Sequence, residues 1–142
     1  MGDKMKKIED ILYKLALKAY KKGEIPVSAL IVKNNKIIAK AYNKKNISNN
    51  ALYHAEILCL IKAYKKLKRW NLSDCSMYVS LEPCDLCKLA IQESRINNVF
   101  YILSKGNNSN FYSKTKYEQM YVSDVLFKKL FDDIFKKIRK KI

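Results

Sequence analysis

The chain has 142 residues, 49% of them apolar, which suits one ordinary domain with a real core and is too short for two independent ones. No run of about eighteen apolar residues occurs, excluding a spanning helix, and the N-terminus lacks an apolar signal core, with Asp3, Glu9 and Asp10 among its lysines, so a cytoplasmic location is expected. The formal charge of +16, from 29 Lys and Arg against 13 Asp and Glu, suits a polyanionic partner such as nucleic acid or an acidic membrane face. Arg69, Arg95 and Arg139 are the only arginines; the lysine excess by itself is equally explained by compositional bias, because lysine lacks the planar fork that shapes phosphate recognition.

Residues 4–22 carry Ile8, Ile11, Leu12, Leu15 and Ala19 at helical spacing, ahead of Gly23, which predicts an amphipathic helix ending there. Residues 28–32 and 36–42, joined by Asn34-Asn35, form a predicted hairpin. After a polar loop to residue 50, a helix is expected over 54–67, with Ile57, Leu58, Ile61 and Tyr64 along one side. A strand over 75–80, a helix over 84–94 and a buried strand over 98–103 follow. Such alternation predicts a sheet with helices on both faces and parallel later strands. Ligands in these sheets bind beyond the strand ends, where helices begin.

The stretch after Lys105 reads as a surface loop, and residues 118–122 as a short closing strand. Ser123 and Asp124 offer N-cap chemistry for a last helix. Its stripe of Leu126, Leu130, Ile134 and Ile138, flanked by Phe127, Phe131 and Phe135, is expected to be core. The lysines around it fit a solvated face and a helix C-terminus. No repeat or linker divides the chain, so residues 1–142 are expected to form one domain.

Four cysteines in a reducing compartment favour metal binding or catalysis over disulfides. The segment "VSLEPCDLC" sets Cys84 and Cys87 at the start of a predicted helix, where free backbone N–H groups and the dipole favour thiolates. His54, the only histidine, opens the preceding helix in "YHAEIL", with Glu56 two residues on. Two helices that start at the same sheet edge can bring His54 to the sulfurs. One imidazole and two thiolates with an open fourth position match catalytic rather than structural zinc. Two thiolates neutralise Zn²⁺, and a water bound there can still be acidified toward hydroxide. Glu56 is the obvious proton carrier. Residues two apart on a helix point about 200° apart, so His54 and Glu56 can converge only off the helix end.

Competing readings are a closed structural site and a redox dithiol. Cys59 is more than a turn deeper than His54 and Cys75 lies at the far end of its strand, so neither fits as a fourth ligand, and both read as small buried apolar residues. A redox pair would leave His54 and Glu56 unused.

The pair "HAE" and "EPCDLC" resembles the zinc-dependent nucleoside and nucleobase deaminase signature. Together with "GEIPVSALIV", "AYN" and "YVSLEPCDLC", it is most similar to the bacterial tRNA adenosine deaminases, over about residues 23–101. The resemblance implies a cytidine deaminase-like fold, a three-layer α/β/α sandwich around a mixed five-stranded sheet. It further implies one Zn²⁺ per chain held by His54, Cys84 and Cys87, with Glu56 as proton shuttle. The backbone of Ala55 and the loop at Glu82 would touch a flipped base, and Asn43, Pro26 and Val27 would line its pocket. The implied partners are a tRNA anticodon stem-loop and a second copy of the chain, with no membrane. The implied reaction is hydrolytic deamination of the wobble adenosine to inosine. Three positions depart from the family pattern: Ser28 replaces a glycine, "NNALYHAE" lacks the Asp-Pro-Thr lead-in, and Ser104 stands where Asp is usual. Deamination of a small free base such as guanine needs the same zinc residues but no basic surface. A catalytically idle zinc-stabilised RNA-binding module would fit a missing carboxylate, yet Glu56 is present.

Overall fold

A computed structural model describes residues 2–105, 113–120 and 124–141. Helix α1 spans Gly2–Lys21 and buries Ile8, Leu12, Leu15, Ala16 and Ala19 along one face. Gly23 stops it with φ of 82°, the left-handed geometry in which glycine meets no Cβ clash. Strands β1 (Ser28–Lys33) and β2 (Lys36–Tyr42) form an antiparallel hairpin. Its turn residues Asn34 and Asn35 both have positive φ, 49° and 64°, and that backbone twist matches the twist of the flanking strands.

Helix α2 (Ala55–Leu67), strand β3 (Ser76–Leu81), helix α3 (Asp85–Glu93), strands β4 (Asn98–Leu103) and β5 (Lys116–Gln119), and helix α4 (Val125–Lys141) complete the order. The sheet runs β2-β1-β3-β4-β5. β1 is antiparallel to both neighbours, whereas β3, β4 and β5 are parallel. This is the expected mixed five-stranded sheet.

Two apolar clusters make it a three-layer sandwich. On one face Ala55, Cys59, Leu60 and Ala63 of α2 and Ile91 of α3 pack on Ala29, Ile31, Met77, Val79 and Val99. On the other, α1 and α4 cover Leu30 and Ile102, with Tyr13 edge-on to Phe127 at 5.6 Å. Alternate residues of each central strand feed opposite layers, as a period of two requires.

The last strand corrects the sequence expectation. It covers Lys116–Gln119 rather than 118–122, because its pairing runs from Asn98↔Lys116 to Tyr101↔Gln119 and Thr115 anchors the start by donating Oγ1 to the Ile96 carbonyl at 2.7 Å. Residues 121–123, with the expected cap at Ser123, and the side chains of Phe135, Ile138 and Arg139 lie outside what the structure describes. Among the described residues no helix is long and apolar enough to cross a membrane.

Candidate metal centre and nucleobase pocket

Strand directions bring four chain segments to one sheet edge. β3 and β4 end there at Leu81 and Leu103, while β1 begins and β2 ends there, since Ser28 pairs with Tyr42. α2 and α3 both start at that edge. His54 is the N-cap of α2, with φ −72° and ψ 152°, and Cys84 is the N-cap of α3, with φ −74° and ψ 172°. Both are extended residues outside the helix proper, which removes the obstacle of the 200° divergence: His54 turns off the end while Glu56 sits in the first turn.

His54 Nδ1 lies 3.8 Å from Cys84 Sγ and 3.5 Å from Cys87 Sγ, and the three donor atoms all fall within 4.8 Å of one another. Tetrahedral Zn²⁺ with Zn–S of about 2.3 Å and Zn–N of about 2.0–2.1 Å requires N···S separations of about 3.5 Å. The donors fit the ion in number, chemistry and spacing. Cys59 is not among them: its Sγ donates to the Ala29 carbonyl at 3.6 Å inside the core. Cys75 Sγ donates to Asp74 at 3.4 Å, ahead of the first residue of β3.

The electrostatics follow the geometry. A hydrogen bond from Cys87, and then the first-turn N–H of Cys87, lower the Cys84 thiol to about 5 against the cost of burial. Cys87, as the donor in that pair, is pushed up, with burial and the nearby Glu56 adding to the effect. Glu56 is 3% exposed. Burial raises its carboxyl to about 7, and the Cys84 charge adds to the rise. Its Oε1 has no hydrogen-bond partner. A buried carboxylate oxygen without a partner costs free energy unless something else occupies the site, and this one sits beside the ligand set.

A pocket of about 180 Å³ opens over this cluster, small beside the roughly 300–1,000 Å³ of drug-sized sites. Val27, Asn43, Ala55 and Glu82 are among the residues that line it. Pro26 is not. It is buried behind the wall, with its carbonyl accepting from Ser80 Oγ at 3.4 Å, and Ile25 stands at the surface instead. The N–H of Glu82 is engaged by the Leu103 carbonyl at 2.8 Å. The Glu82 carboxylate accepts from Ser104 Oγ and from the Lys105 N–H, both at 3.2 Å, and pairs with Lys88 at 3.6 Å. Glu82 therefore ties the end of β4 to the start of α3.

The opposite wall is held by another carboxylate. Glu24, fully buried, accepts from the N–H of Asn46 at 3.0 Å and of Ile47 at 2.6 Å. The Asn43 N–H donates to Val27, and its Oδ1 accepts from the Lys45 N–H. Ser28, the departure next to Pro26-Val27, is also withdrawn: its hydroxyl donates to the Leu12 carbonyl at 2.7 Å and links β1 to α1.

Sequence reasoning missed Ile25, Lys45, Leu81 and Lys105 as lining residues. Only the proximity of Ile25 and Lys45 to Val27 and Asn43, and of Leu81 to Cys84, signalled three of them. Lys105 arrives through strand order, which no local pattern encodes.

The profile of cytidine and deoxycytidylate deaminase zinc-binding regions matches residues 3–103. The chain belongs to that family. It is 44% identical over 101 residues to a tRNA-specific adenosine deaminase of Rickettsia bellii, covering 70% of each chain. Among solved structures, one from a study of A-to-I editing by tRNA:A34 deaminases superposes with a TM-score of 0.72 at 23% identity, over 79% of this chain and 95% of that one. A guanine deaminase of Bacillus subtilis gives 0.62 at 28% identity, over 89% and 88%. The deaminase family carries zinc at this signature, and His54, Cys84 and Cys87 are positioned to bind it.

Proposed function

We propose that this protein, acting as a single cytoplasmic deaminase domain, converts adenosine to inosine at the wobble position of a tRNA anticodon. The observation that carries the reading is the unpartnered Glu56 Oε1 beside His54, Cys84 and Cys87. The relatives named for tRNA adenosine deamination at 44% identity supply the substrate.

His54, Cys84 and Cys87 would hold Zn²⁺, which acidifies water and polarises it for attack. Glu56 does the proton work. It takes a proton from the attacking water and delivers it to the ring nitrogen beside C6, then takes the second proton from the hydroxyl now on C6 and delivers it to the leaving amino group. The C6–N bond breaks, C6–O forms, and ammonia departs. In the metal-free site burial raises the Glu56 carboxyl, the direction that makes a carboxylate a better proton acceptor. Asn43 and Val27 flank the base, and the N–H of Ala55, in the first turn of α2, faces it as a donor. An anticodon loop presents unstacked bases, which lets a recessed site reach C6.

A homodimer belongs to this reading. Leu86 and Leu89 on α3 and Ile61 on α2 leave 38–48% of their surface exposed, apolar area that a second copy would cover. Light scattering checks it.

A second reading, deamination of a free base such as guanine, draws on the Bacillus subtilis neighbour. Incubation with an anticodon stem-loop, free adenosine and guanine separates the two. Inosine in the RNA supports the proposal; ammonia from guanine alone supports the rival. Tight RNA binding without product leaves an idle binding module.

A further inference from the structure

Lys45 and Lys105 both line the pocket, and they reach it from different strands. Lys45 follows β2 and Lys105 follows β4, three inter-strand steps apart in the order β2-β1-β3-β4. The ion pairs among the described residues are Lys33–Asp74, Arg69–Asp74 and Lys88–Glu82; neither pocket lysine takes part. Glu82, adjacent to Lys105 through its N–H, directs its charge to Lys88 instead.

Outward from Lys45 the positive charge continues. Lys22 donates to Tyr42 Oη at 2.9 Å and stands 5.5 Å from that ring's centre, with Lys44 at 5.0 Å from the same ring. Two cations gathered on one ring, neither in an ion pair among the described residues, repel each other, and a polyanion lying across them removes that cost. Tyr42 packs on the α1 side of the sheet, and Lys44 directly precedes Lys45 of the pocket wall, so the patch meets the pocket rim through Lys44.

We propose that Lys45 and Lys105 hold the phosphates on either side of the reacting nucleotide, and that Lys22, Tyr42 and Lys44 carry the RNA strand onward past Lys45. This rests on the RNA reading above and adds how the strand is gripped. Lysine is a point charge that neutralises phosphate without reading sequence, so the clamp selects a nucleotide within a strand over a free base or nucleoside, which lacks both phosphates. The competing account is local: Lys105 offsets the charges of Glu56 and Cys84, both of which feel it.

The test pairs lysine variants with charge-neutral phosphates. An anticodon stem-loop carrying a methylphosphonate immediately 5′ or 3′ of the target adenosine is compared with the unmodified RNA, using wild type, Lys45→Gln, Lys105→Gln and Lys22→Gln/Lys44→Gln. Affinity is read by anisotropy across a salt series, alongside single-turnover rate, zinc content and melting temperature. Each pocket variant should bind unmodified RNA about 5–10-fold more weakly, with its salt slope lowered by about 0.7. The methylphosphonate facing the missing lysine should then cost that variant nothing further. The Lys22→Gln/Lys44→Gln variant should lose affinity but stay sensitive to both methylphosphonates. The clamp is overturned if methylphosphonates weaken variants and wild type equally, or if Lys105→Gln loses zinc without any phosphate coupling. RNA that wild type does not deaminate overturns the RNA reading together with the clamp, whereas deaminated RNA without coupling overturns the clamp alone.

Discussion

Cys59 and Cys75 lie about as deep as Cys87, at 0%, 4% and 0% exposure, and all three thiols are pushed up with burial contributing to each, yet of the three it is Cys87 that stands 3.5 Å from His54 Nδ1 and shares a donor cluster with Cys84. Cys59 sits one turn into α2, donating to the Ala29 carbonyl, and burial drives its thiol far up. Cys75 is raised to about 11 by burial and by the neighbouring Asp74. Cys84, at the open end of α3, has the Cys87 thiol and the Cys87 N–H pointed at its sulfur and is lowered to about 5. Burial alone therefore does not decide whether a cysteine binds metal. What decides it is whether donors, a helix start and a second ligand type converge on the sulfur.

The comparison can be broken in four ways. The largest effect belongs to Cys87→Ala, which should leave little bound zinc by elemental analysis and lower inosine formation by at least about 1,000-fold, because two protein ligands do not hold the ion against water. Full zinc occupancy in that variant would falsify the ligand assignment. Next, Glu56→Gln should keep its zinc and lose about 10²–10⁴-fold in single-turnover rate, the usual range for a lost proton carrier; a variant that also sheds zinc makes Glu56 a ligand instead. In metal-free protein at pH 7, above the Cys84 value and below that of Cys75, Cys84 is thiolate and Cys75 is thiol. Iodoacetamide should modify Cys84 at least about 100-fold faster, as peptide mass spectrometry reads it, and added zinc should protect it. The smallest effect is Cys59→Ala, which should keep zinc and activity and reduce stability to urea by about 1–2 kcal/mol through the small cavity it leaves. Loss of metal there would erase the distinction between the two groups.

The parts of the fold written in strong periodicity were legible. The stripe of α1, the Asn34-Asn35 turn and the alternation of helix and strand place the elements within a residue or two of where they stand. The edge strand β5 was not, because half of its signal lies in pairing with β4 rather than in its own exposed Lys116 and Glu118. At the site, His54, Glu56, Cys84 and Cys87 were readable because ligand type and spacing are local. The true position of Pro26 and the occupied N–H of Glu82 were not, since both are set by partners more than twenty residues away, Ser80 Oγ in one case and the Leu103 carbonyl in the other. Lys45 and Lys105 share that character: each is an ordinary lysine until strand order sets it over the cluster.

Glu24 turns the segment between β2 and α2 into a chain of fixed length. Two successive amides have to reach one immobile carboxylate, so removal of a single residue from positions 48–52 cannot be absorbed by slack and should drag Asn43 and Lys45 out of place together. Weakened RNA capture at undiminished zinc loading would reveal it. Natural variation in this stretch is accordingly expected to alter side chains while conserving the number of links.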